Sequence, residues 1–106
     1  MPVSGASKGL YEASGLLSVG ATAVHRGFCL VGGIDLVAAT GDATITLYNN
    51  AAATTTGRIL ARLKIDVSAE GSGSKHLTGQ NIVAGTGCAA VISGTGAKAV
   101  VRFAKG

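Results

Sequence analysis

From Arg58 to Val67 the chain alternates, with Ile59, Ala61, Leu63, Ile65 and Val67 interleaved with Arg58, Leu60, Arg62, Lys64 and Asp66. A period of two is the signature of a strand with one face on a core and the other toward solvent. Ten such residues predict a strand of roughly 33 Å whose outer face presents Arg58, Arg62 and Lys64. Ala43 to Tyr48 alternates in the same way, with Ile45 and Leu47 against Thr44, Thr46 and Tyr48. The Gly41-Asp42 pair before it suits a tight turn, which predicts a hairpin over residues 35–48. Shorter strands are expected at Leu16–Val19, Ala23–Val31, Lys75–Leu77, Asn81–Ala84, Cys88–Ser93 and Lys98–Phe103, each bounded by Gly, Ser, Thr or Asn. Two connections are longer: the Ala/Thr-rich stretch Asn49–Gly57, and Ser68–Ser74, which reads SAEGSGS. Short strands punctuated by turns indicate a sandwich or barrel.

The reading is therefore an all-β chain: a single-domain antiparallel β-sandwich or jelly-roll-like barrel over residues 15–106, preceded by an extended N-terminal arm over residues 1–14. The arm has no strand pattern but holds Leu10 and Tyr11 as apolar anchors for a neighbouring molecule. Fully extended it reaches roughly 45 Å.

Composition supports this class. The chain has 106 residues, enough for one modest core. Seventeen glycines, one proline and no Trp, with only two Tyr and two Phe, leave Val, Ile and Leu to fill a thin interior. A domain with so thin a core gains from burying further apolar area between copies, so oligomerisation is expected. Charged residues are 13% of the chain and the net charge is +4, spread along the sequence, which is not the clustered footprint of a nucleic-acid binder. No nucleic-acid or membrane partner is expected: the stretch from His76 to Ala97, which carries no Asp, Glu, Lys or Arg, is broken by Gly79, Gly85, Gly87 and Gly94 and contains Gln80 and Asn81. The opening residues lack a basic region followed by an apolar run, so synthesis in the cytoplasm is expected.

Chemistry-bearing patterns are weak. Gly85-Thr86-Gly87-Cys88-Ala89-Ala90 fits a dinucleotide-binding pattern, but no helix can begin there, because Ala90–Ser93 runs straight into Gly94-Thr95-Gly96. Both Gly-Thr-Gly units read as hairpin turns. Cys29 and Cys88 are too few for a zinc site and read as small buried apolar residues, with an inter-sheet disulfide as the alternative. Phe28 reads as buried. His25 and His76, with five scattered acids, form no local catalytic constellation, and His25 reads as structural. No catalytic residue, metal ligand or cofactor-binding residue is assigned, and the chain is not expected to be an enzyme. The candidate site is an interaction surface of Leu10, Tyr11, Arg58, Arg62 and Lys64.

The stretch ATITLYNNAAATTTGRILARLKID, residues 43–66, resembles small structural proteins of tailed bacteriophages. In that pattern a Thr-rich strand ends in Leu-Tyr-Asn/Asp-Asn, an Ala/Thr loop follows, and a long strand starts after Gly. Ser93–Ala97 before a final strand is similar as well. The resemblance implies a virion component, a capsid decoration or cement protein that assembles as a homotrimer on the shell of the major capsid protein. Its location would be the capsid surface of the virion. Phage tail, connector and head-fibre components, and a carbohydrate- or cell-surface-binding sandwich, are the alternatives.

Overall fold

The computed structural model describes residues 12–39, 41–53, 55–66, 74–77 and 82–105. Among the described residues ten strands follow one another: β1 (Glu12–Ala13), β2 (Leu17–Ser18), β3 (Gly20–Arg26), β4 (Cys29–Val37), β5 (Ala43–Asn49), β6 (Arg58–Ile65), β7 (Ser74–Leu77), β8 (Ile82–Ala84), β9 (Gly87–Ser93) and β10 (Lys98–Lys105). The described residues contain no helix.

The strands form two antiparallel sheets packed face to face. In one, β10 and β4 are central, β1 and β2 lie along the free side of β10, and β7 and β8 lie along β4. The other runs β3-β9-β5-β6. Taking β1 with β2, and β7 with β8, as interrupted single strands gives eight positions. The first pairs the last, the second the seventh, the third the sixth, and the fourth the fifth. This is the connectivity of a jelly roll.

That connectivity corrects three local expectations. Residues 35–48 do not form a hairpin, because β4 and β5 lie in different sheets and Gly41-Asp42 bridges them. Neither Gly-Thr-Gly unit is a hairpin turn: Gly85-Thr86 leads from β8 to β9, and Gly94-Thr95-Gly96 from β9 to β10, each crossing between sheets. Ala23–Val31 is not one strand, since Gly27 at φ 109° and Phe28 separate β3 from β4. A jelly roll places nearly every consecutive pair of strands in opposite sheets. Alternation reports which face is buried and says nothing about which strand is the neighbour.

Residues 12–14, assigned above to the arm, lie on the sheet. Glu12 and Ala13 pair with Phe103 and Arg102. Ser14 then bonds to one residue twice, its N–H donating to the Val101 carbonyl at 2.8 Å and its Oγ accepting from Val101 N–H at 3.0 Å. A side-chain oxygen here replaces a ladder carbonyl, and Gly15 at φ 85° turns the chain toward β2. Leu10 and Tyr11 lie outside the described residues.

The core is aliphatic and small. Val31, Ile34, Leu36, Ile45, Leu47, Ile65 and Val101 are fully buried between the sheets, and Ala43, Ala84, Ala90, Ala97 and Ala99 pack beside them. On the side where β6 faces β7, Lys75 Nζ donates to the Lys64 carbonyl at 3.0 Å, joining the two sheets.

Candidate interaction surfaces

Residues 47–50 and Gly57 each have a structural role. Leu47 is in the core and Tyr48 is on the outer face of its sheet. Asn49 Oδ1 accepts from Thr86 N–H at 2.9 Å, and the Thr86 carbonyl accepts from Gly27 N–H at 3.0 Å. One asparagine thus ties together the connections at this end of the sandwich. Asn50 organises the Ala/Thr loop: its Oδ1 accepts from Ala52 N–H at 2.9 Å and its Nδ2 donates to the Thr56 carbonyl at 3.3 Å. Gly57, at φ 113°, passes so close to β5 that a Cβ there would lie 2.9 Å from the Asn49 carbonyl oxygen. These residues hold the fold together.

The basic row is where the structure departs from simple alternation. Arg62 pairs with Thr46 and Lys64 with Thr44, so both project from the outer face of the β3-β9-β5-β6 sheet. Between Ala61 and Ile59 the register shifts, because Leu47 pairs with Ala61 and Tyr48 with Ile59. The extra residue, Leu60, packs on the core, and Ile59 turns outward to 51% exposure. Arg58 then opposes Asn49, off the row that Arg62 and Lys64 share. All three cations are exposed, but only two form a row.

The outer face of this sheet can be read across its four strands. One row is Ala21, Val91, Thr46, Arg62; the next is Ala23, Ala89, Tyr48, Ile59; a third is Ser93, Thr44, Lys64. Its two middle strands present Ala89, Val91 and Ser93 from β9 and Thr44, Thr46 and Tyr48 from β5, and Ala89 and Thr46 are buried although they point away from the core. Arg62 Nε donates to Thr46 Oγ1 at 3.3 Å, laying the guanidinium along the sheet.

The outer face of the opposite sheet is different. Asp35 on β4 lies between His76 on β7 and Arg102 on β10, bonded to both. Arg102 opposes Gly33, two residues along β4 from Asp35. Sequence spacing could not reveal this cluster, because its members lie 41 and 67 positions apart along the chain and meet only through strand pairing. Its carboxylate is saturated by two basic partners and lies on an open face, which is the arrangement of a structural clamp. Val83, paired with Leu30, is exposed, and so is Phe28 in the link between β3 and β4, 47% exposed and therefore not the buried residue its apolar setting suggested.

His25 packs its ring on Phe103, centroids 5.3 Å apart, in a structural position. Cys29 and Cys88 are free, buried, and on strands of opposite sheets. No group of three or more His, Cys, Asp or Glu among the described residues is placed to hold a metal ion. Comparison with protein-family models, curated proteins and solved structures returns no match. The class that the fold defines is a small jelly-roll β-sandwich, and function is argued from its surfaces.

Proposed function

We propose that the chain is a structural virion protein that decorates and stabilises a bacteriophage capsid by assembling as a homotrimer on the shell. The role needs no catalytic residue, cofactor or metal. One observation carries most of the weight: Leu16, Val19, Phe28, Val37, Ile59 and Val83 are all large, apolar and about half exposed or more. Contacts between copies or with a shell would bury such side chains, which adds apolar area that the thin core of Ala, Val, Ile and Leu lacks. The phage-like pattern of residues 43–66 supports the reading, and its residues are those that build the sandwich. Jelly rolls serve viral shells, lectins and cupins alike, so the fold is compatible with the proposal without selecting it.

Light scattering on the purified chain tests the assembly half. The proposal predicts a stable particle of three times the 10.3 kDa chain mass. A monomer at micromolar concentration would count against it and favour a tail component or a glycan-binding module.

A further inference from the structure

We infer that the outer face of the β3-β9-β5-β6 sheet docks on a flat, carboxylate-rich protein surface, with Arg62 and Lys64 as the pairing cations. The inference takes the assembly role above as its frame and adds to it a face and a partner chemistry.

Charge sets this face apart. Strands β3, β5, β6 and β9 carry Arg26, Arg58, Arg62 and Lys64 and not one Asp or Glu. The nearest acids, Asp42 and Asp66, stand just outside the ends of β5 and β6, and each is engaged in an interaction of its own. The outer face of the opposite sheet mixes signs: the Asp35 carboxylate is bonded to Arg102 and His76, and Lys98 stands on the same side of the sheet. Of the two sheets, the β3-β9-β5-β6 sheet is the one whose described strands carry cations without an acid, which favours a negative partner on its outer face.

Shape narrows the partner. Ala21, Ala23, Thr44 and Ser93 keep the face low around Val91 and Tyr48, and Ala89 and Thr46 are buried, so the face suits a second flat surface better than a projecting ligand. Tyr48 and Ile59 supply apolar contact beside the cations. Nucleic acid fits less well, because a duplex binder neutralises a run of phosphates with many more basic groups than Arg62 and Lys64 provide. An anionic membrane likewise calls for a cluster of about 4–8 basic residues.

Size predicts how such docking behaves. Four strands at about 4.8 Å spacing and seven residues at about 3.4 Å rise give a face of roughly 450 Å². That is about half the 800 Å² per partner of a standard stable interface. One copy therefore binds weakly and in a salt-sensitive way, and an oligomer presenting several such faces gains by avidity.

The test compares the intact protein with Arg62→Glu and Lys98→Glu, which change net charge equally but on opposite sheets. Each is titrated at 50 and 300 mM NaCl with poly-L-aspartate, a 20-base-pair DNA duplex and phosphatidylserine-containing vesicles. The inference expects binding to poly-L-aspartate that weakens at high salt, falls at least tenfold in Arg62→Glu and changes less than twofold in Lys98→Glu. Equal losses in the two variants, no binding to poly-L-aspartate, or tighter binding to DNA or vesicles would overturn it. The same variants added to capsid shells separate it from the proposal it builds on. Arg62→Glu protein that coats shells normally removes the docking face and leaves decoration intact. Unmodified protein that binds poly-L-aspartate through Arg62 but never coats shells removes decoration and leaves the face.

Discussion

His76 Nδ1 lies 2.6 Å from Oδ1 of Asp35, a bond that fastens the four-residue strand β7 to the central strand β4. Arg102 holds the other carboxylate oxygen from β10, so a single carboxylate links three strands of one sheet. The Arg102 hydrogen bond holds the Asp35 carboxyl below its ordinary value of 3.8, partial burial opposes that shift, and His76 lowers it further. A carboxyl whose folded value is depressed contributes stability that is complete above its unfolded value and is lost as pH falls through the folded one. The intact protein should therefore lose stability below about pH 4 more steeply than Asp35→Asn, and at pH 7 the variant should be less stable by about 1 kcal/mol. Urea unfolding at pH 7, 5, 4 and 3 checks both, and parallel pH profiles would refute the clamp.

The two cysteines should be inert in the native protein. Burial pushes the Cys29 thiol up, and burial together with the neighbouring Cys29 pushes Cys88 up to about 12. Thiolate, the reactive form, is scarce at such values. A thiol reagent at pH 8 should label neither residue in the folded chain and both in denaturant. Rapid native labelling of Cys88 would contradict its placement between the sheets.

The glycines of the apparent dinucleotide pattern should separate. A Cβ at Gly85 meets nothing within 4 Å, whereas one at Gly87 would stand 2.8 Å from the Ala51 Cα and the His25 carbonyl oxygen. Gly85→Ala should be close to neutral, and Gly87→Ala should cost about 1–3 kcal/mol or prevent folding. Thermal melts of the two variants decide this, and equal melting temperatures would show that the close approach at Gly87 is not needed.

Strand content was legible in the sequence because alternation is local. The two strongest patterns became β5 and β6, with starts at Ala43 and Arg58 as expected. Partnership was not legible, since β4 meets β10 across some sixty residues and no turn residue encodes that. The bulge at Leu60 was hidden for a similar reason: Ile59 and Leu60 are both apolar, and only pairing against Leu47 and Tyr48 shows which one turns inward. The same ambiguity displaced Arg58 from the basic row, whereas the Asp35 clamp stayed unseen because its members meet only through strand pairing. Mutation can read the bulge directly. Leu60→Ala should cost about 1–2 kcal/mol and Ile59→Thr under about 0.5, and the reverse order would restore simple alternation.

The central claim is assembly on a shell, and the most direct measurement mixes the purified chain with capsid shells lacking it, sediments them, and follows their thermal disruption. The account predicts saturable, stoichiometric co-sedimentation and shells that withstand a higher temperature when coated. Protein that stays in the supernatant at every concentration, with shell stability unchanged, would contradict it.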